Sequence, residues 1–193
     1  AGLAAAEHLL GRGLRHFGLL GNAGSILHKP LFSAFRERVE AEIRDPRSCP
    51  RCLLPALFTI SRRSARVGYR RLESWIESLT LPVGVLASHD NFAQILFSFA
   101  AAKYGLSVPH DLAMIGCANE PLQCVKPDLK LTSIDLNYPM IGYTAAKLLD
   151  SLMEGGKPPA EPVLIEPIGL VARQSTDILA VDEPIVARAL RFI

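Results

Sequence analysis

Residues 83–120, VGVLASHDNFAQILFSFAAAKYGLSVPHDLAMIGCANE, decide the fold. VGVLAS at 83–88 is a short apolar run without polar alternation, the pattern of a strand covered on both faces. Asp90 then stands where a helix N-cap belongs. Phe92, Ile95, Leu96 and Phe99 follow at helical spacing, and Gly105 ends the helix. DLAMIGC at 111–117 is a second buried strand. Strand, helix and strand joined by short connections imply a right-handed crossover and a parallel sheet. The fold class expected is α/β, a parallel sheet flanked by helices.

The same alternation extends both ways. Upstream, Leu3, Ala6, Leu9 and Leu10 share a helical face that Gly11 and Gly13 close, and HFGLLG at 16–21 reads as a strand. Leu31, Phe35, Val39 and Ile43 are four apart and predict a second amphipathic helix. Residues 46–60 are rich in Pro and Cys and show no period. Leu72, Trp75, Ile76 and Leu79 mark a third helix, in which Trp75 belongs to the core. Downstream, a Pro-containing loop runs to 130, and LTSIDL at 131–136 is a strand. Ile141, Ala145, Leu148, Leu149 and Leu152 line a helix that stops at Gly155-Gly156. PVLIEPIGLV at 162–171 reads as an edge strand because of its prolines. After Asp182, Ile185, Val186, Ala189 and Leu190 predict a further helix.

Composition bounds the function. With 49% of 193 residues hydrophobic, the chain can bury a substantial core, which excludes disorder of the whole. A formal charge of +2 is too small to argue for nucleic-acid binding. The apolar runs are broken by charge or Gly before membrane-spanning length, and AGLAAAEHLLGRG has no basic leader in front of its apolar run. SRRSARVGYRR at 61–71 holds five arginines, of which Arg66, Arg70 and Arg71 avoid the apolar stripe, the pattern of a solvated helix face. GRGLRH lacks a third Gly and follows a helix, so a dinucleotide loop is not supported. No P-loop, G-x-S-x-G or zinc-protease helix occurs.

Cys49 and Cys52 form a C-x-x-C, which can be a redox dithiol or half a zinc site. Cys117 and Cys124 do not have the spacing of a second half, and the pair precedes Leu-Leu-Pro rather than opening a helix after a strand. They read as ordinary reduced thiols, with no metal, no cofactor and no catalytic residue expected.

In open parallel sheets, ligands sit beyond the carboxyl ends of the strands. That rule selects Gly21-Asn22, Ser88-His89-Asp90-Asn91, Cys117-Ala118-Asn119-Glu120 and Asp135-Leu136-Asn137. Their amides and carboxylates suit sugar hydroxyls, which both donate and accept.

At these loops the chain resembles the effector-binding domains of the lactose- and galactose-repressor type. The resemblance is carried by a strand leading to Asp90, GLSVPHD at 105–111, the strand into Gly116 and Asn119, LTS at 131–133, and IGYTAAKLL at 141–149. The tail GLVARQSTDILAVDEPIVARALRFI is similar to xylose operon regulators, in which such a sensor precedes an arabinose-regulator (AraC) type DNA-binding domain. The resemblance implies a periplasmic-binding-protein-like fold and a cytoplasmic sensor for a pentose such as xylose. Operator DNA would be met by a separate domain after Ile193. It also implies that 1–131 is the C-terminal lobe, 132–155 the return into the N-terminal lobe, and 156–193 the way back and a linker. Most of the N-terminal lobe is expected upstream of Ala1. A secreted sugar-binding protein of a transport system shares the fold, but the regulator-like tail favours the sensor.

Site residues carry over in part. Asp90 matches the family's acidic contact after the strand, and Asn119 its Asn in G-x-D-N-E, whose Asp is Ala118 here. Lys29 stands nearest to a family Arg but cannot reproduce a guanidinium fork. His89 can bond or stack a ligand. The ligand set expected is therefore Asp90, Asn119, His89 and Lys29. Each missing hydrogen-bonding group costs about 1–3 kcal/mol, so weak sugar binding is expected. The apolar stripe on the 138–153 helix implies a homo-oligomer with residues 132–155 at the contact.

Overall fold

The computed structural model describes residues 1–25, 28–43, 49–54 and 62–180. Their order is α1 (Gly2–Gly11), β1 (His16–Asn22), α2 (His28–Glu42), β2 (Arg51–Leu54), α3 (Arg62–Glu77), β3 (Val83–Ala87) and α4 (Asp90–Tyr104). Then come β4 (Leu112–Cys117), the short α5 (Pro121–Cys124), β5 (Thr132–Asp135), α6 (Tyr138–Met153) and β6 (Gly169–Val171). The six strands form one sheet in the order β2-β1-β3-β4-β5-β6. All neighbours run parallel except β6, which returns antiparallel to β5.

The periodicities explain the layers. Every residue of β3 and β4 is buried because helices cover both faces. Successive side chains point to opposite sides, so Val83, Val85 and Ala87 meet α3 and α4 through Leu72, Trp75 and Leu96. Leu86 and Ile115 face the other way, onto Ala6 and Leu9 of α1 and Phe35 and Val39 of α2. Trp75 is seated over Gly18 of β1, where a Cβ would lie 2.7 Å from its indole ring. Its Nε1 donates to the Pro50 carbonyl at 3.2 Å, so α3 is tied to the approach of β2. Burying a side chain such as Leu72 contributes about 1.5–3 kcal/mol.

Several expectations change. β2 lies in the stretch read as aperiodic, because its partner is the β1 edge (Leu19 opposite Arg51) rather than a local pattern. Of 162–171, only Gly169–Val171 is strand. Leu3 of α1 is exposed, and the buried face is instead Gly2, Ala5, Ala6 and Leu9. Thr132–Asp135, read as the start of the segment leaving this lobe, is paired in the sheet beside β4. α6 then carries no buried residue, and its Ile141, Ala145 and Leu148 line a recess together with the returning segment 159–165. The helix expected after Asp182 lies outside the described residues.

The return to the sheet is fastened by hydroxyls. Ser175 Oγ donates to the Met114 carbonyl at 2.6 Å and accepts from Thr132 N at 2.8 Å. Thr176 Oγ1 is 2.8 Å from both Thr132 Oγ1 and His8 Nε2, so one buried side chain joins α1, β5 and the returning segment.

Candidate functional site

The carboxyl ends of β1, β3 and β4 open into a cleft of about 610 Å³. Asn22, Ser88, His89, Cys117, Leu136 and Tyr138 reach it from the strand ends, and Asn91 and Phe92 from the start of α4. The start of α2 supplies His28, Pro30 and Leu31. Among the described residues, no side chain lining the cleft is Asp, Glu, Lys or Arg. Its polar groups are amides, hydroxyls and imidazoles, set among Phe92, Tyr138 and aliphatic carbons. A roomier groove of about 850 Å³ runs along β2 and α3, but it is open surface lined by Arg51, Arg70 and Arg71. The cleft is the better candidate because it lies where a parallel sheet presents unspent loop groups.

His89 is the one expected ligand residue that lines the cleft. It is also the N-cap of α4, accepting from Asn91 N through Nδ1 at 3.2 Å. With Nδ1 an acceptor, the neutral ring carries its proton on Nε2, which is left as a donor.

Asp90 is not the cap. It is the first helical residue, fully buried, and turned into the molecule. Its Oδ1 accepts from Ser133 Oγ at 2.5 Å and its Oδ2 from Glu120 N at 2.8 Å. A Cβ at Gly116 would run into the same carboxylate, so β4 approaches it closely only as glycine. Asp90 therefore joins the start of α4 to the loop after β4 and to β5, and it is not among the residues lining the cleft. Cys124 also faces Asp90, and burial and that carboxylate push its thiol up to about 12.

Asn119 is likewise occupied. Its Nδ2 donates to Asp135 Oδ2 at 3.0 Å, and its Oδ1 accepts from Arg173 at 2.7 Å. Arg173 donates also to the Leu131 carbonyl at 2.7 Å. Asp135 in turn accepts from Asn137 N at 2.8 Å. These bonds hold the strand on which the chain leaves the sheet against the one on which it returns. Lys29 lies outside the cleft, in an adjoining recess of about 170 Å³ that it shares with His28, Phe32, Arg36 and Arg51.

Among the lining residues that escaped the sequence reading are His28, Phe92 as a wall rather than core, and Tyr138. His28 is 5% exposed, and its Nδ1 has no hydrogen-bond partner among the described residues. Burial, then Arg51 and Lys29, hold its ring below the ordinary histidine value, against a hydrogen bond with the Ser25 backbone. Burial raises Tyr138 above the usual phenol range, with Cys117, Asp90 and Glu120 adding to it.

Cys49 and Cys52 are both buried, and burial pushes their thiols up to about 12 and about 11. Among the described residues no group of three His, Cys, Asp or Glu side chains is placed to hold a metal ion. No described helix is long and apolar enough to cross a membrane.

Residues 6–176 match the family profile of the periplasmic binding protein-like domain. The xylose operon regulatory protein of Haemophilus influenzae is 35% identical over 125 residues, covering 64% of this chain and 32% of that protein. The protein of the same name from Escherichia coli (strain K12) is 30% identical over 123 residues, covering 64% and 31%. The chain thus spans about a third of the length of the curated relatives it matches. Among solved structures, the xylose-binding transcription activator xylR gives a TM-score of 0.71 at 23% identity, covering 100% of this chain and 50% of that one. A dimeric Lac repressor gives 0.69 at 20% identity, covering 92% and 61%. At these identities the structural likeness speaks to the fold alone.

Proposed function

The chain belongs to the periplasmic binding protein-like family, and on that premise we propose that it is the ligand-sensing domain of a bacterial transcription regulator whose effector is a pentose such as xylose. The observation that carries this reading is the cleft at the strand ends, lined by amide, hydroxyl and imidazole groups beside Phe92 and Tyr138 and, among the described residues, by no Asp, Glu, Lys or Arg side chain. A sugar needs hydrogen-bonding groups of both senses around its edge and apolar surface against its C–H faces. The relatives named as xylose operon regulatory proteins supply the pentose.

On this reading the chain turns over no substrate. It works in the cytoplasm, and operator DNA is contacted by a separate domain. Residues 1–135 form the greater part of one lobe, and α6 belongs to the segment that crosses to the other. Sugar binding between lobes then biases their closure, and the Asn119–Asp135–Arg173 bonds sit at the crossing. The protein acts as a homo-oligomer, a reading supported by the dimeric Lac repressor among its structural relatives.

Calorimetric titration of the full-length gene product with D-xylose tests the assignment. Saturable binding, weaker or absent with hexoses, is the expected result. Failure of any pentose to bind or to raise the melting temperature overturns it.

A further inference from the structure

We propose that His28 is a ligand-binding residue of the cleft, its unpartnered Nδ1 hydrogen-bonding a hydroxyl of a neutral polyol. The inference rests on the sugar-sensing reading above and names a recognition group within that site.

His28 opens α2 directly after the loop that follows β1, so its side chain is carried to the strand-end side of the sheet. The ring is 5% exposed, yet it lines the cleft. It leans on Phe32 one turn along the helix, with centroids 5.2 Å apart and planes at 47°, which restricts how the ring can turn. Phe32 is itself buried and packs against Gly21 at the end of β1. The ring is thus held by a packed neighbour, while one of its nitrogens has no partner among the described residues.

Buried side-chain nitrogens without a partner are uncommon in folded proteins, and each asks what it is kept for. A neutral imidazole presents one N–H and one lone pair. A hydroxyl can serve either, because it donates and accepts; a carboxylate can only accept. The shift of the His28 ring toward its neutral form agrees with this, since a neutral ring offers no charge to an anion. The cleft lining offers none either. Lys29 and Arg51 line an adjoining recess that His28 also borders, and neither lines the cleft. A neutral sugar therefore fits better than a sugar acid.

The test uses the full-length gene product and D-xylose as the probe, with D-xylonate as competitor. His28→Leu, which keeps bulk and removes the nitrogens, is expected to weaken D-xylose binding about tenfold. His28→Asn restores much of it, because its amide lies where Nδ1 lies. His28→Gln does not, since its amide reaches the Nε2 position instead. D-xylonate is expected not to compete.

If the native protein binds D-xylose and His28→Leu binds it equally well, the inference is overturned while the sensing function stands. Competition by D-xylonate overturns the neutral-ligand part. If the native protein binds no pentose, the functional reading fails and takes His28 with it. Should the variants misfold, nitrogen-15 NMR of the native imidazoles decides. Addition of D-xylose is expected to shift Nδ1 of His28, and an unmoved Nδ1 in a protein that binds the sugar overturns the inference.

Discussion

Replacing Asp90 by alanine tests the placement of its carboxylate. The side chain is fully buried and accepts from Ser133 Oγ at 2.5 Å and from Glu120 N at 2.8 Å. A hydrogen bond to a charged group contributes about 1.5–3 kcal/mol. Asp90→Ala removes two and leaves a hydroxyl and an N–H behind in the interior. Ser133 Oγ also receives Asn119 N at 3.0 Å, so the loss reaches the β4 loop as well. Together these predict a cost of about 3–5 kcal/mol, the size seen when a buried charged network loses one member. A helix cap at the surface would cost about 1 kcal/mol. Small domains have about 5–15 kcal/mol in total, so the difference is large against the whole. Urea unfolding followed by circular dichroism reads it directly, as a fall in the midpoint with the slope unchanged. Ser133→Ala should cost about 2–4 kcal/mol, because it removes the bond to Asp90 and the one received from Asn119 N. The double variant should cost clearly less than the sum, because the two residues share a bond. A loss near 1 kcal/mol for Asp90→Ala, or strict additivity with Ser133→Ala, would refute the reasoning.

Three further outcomes can be checked. Ala118 holds φ 131°, a conformation that suits glycine, so Ala118→Gly is expected to raise stability by up to about 1 kcal/mol; a lower urea midpoint would contradict this. His8 is held below the ordinary histidine value of about 6.5 by burial and then by Arg12. The unfolded chain therefore takes up the proton first, so this stability is complete above about pH 6.5 and is lost as pH falls toward the folded pKa. His8→Gln should flatten part of that acid-side slope in melts recorded across pH, His28 retaining the rest; an unchanged slope would count against it. The thiols of Cys49 and Cys52, raised to about 12 and about 11 by burial, should resist a disulfide-exchange reagent at neutral pH until the protein is unfolded, and fast labelling of the native protein would show them to be reactive.

Much of the architecture was legible because it is written in local spacing. β3 and β4 are covered on both faces, so they read as unbroken apolar runs. α4 and α3 carry their buried faces at helical intervals, and Trp75 falls in register with Leu72. Short crossovers between such elements leave a parallel sheet as the economical solution. From that sheet, the loops beyond its carboxyl ends could be chosen as the site. β2 was not legible, since four residues at an edge take their conformation from pairing with β1 rather than from any period of their own.

The side chains within the chosen loops were a different matter. His89 and Asp90 are adjacent, and nothing local distinguishes the cap from the buried acid. The distinction comes from Ser133 and Glu120, brought by β5 and the β4 loop to where the carboxylate can be satisfied. Asn119, expected at the ligand, bonds Asp135 and Arg173, the latter far along the chain. No local spacing marks His28, which is buried against Phe32 only in the fold. The sequence by itself determined which backbone segments are helix and strand and which end of the sheet is open, because those follow from periodicity and chain connectivity. Only the tertiary structure decided which polar groups there are left for a ligand, because a buried hydrogen-bonding group takes whatever partner the fold brings within reach, however distant in sequence.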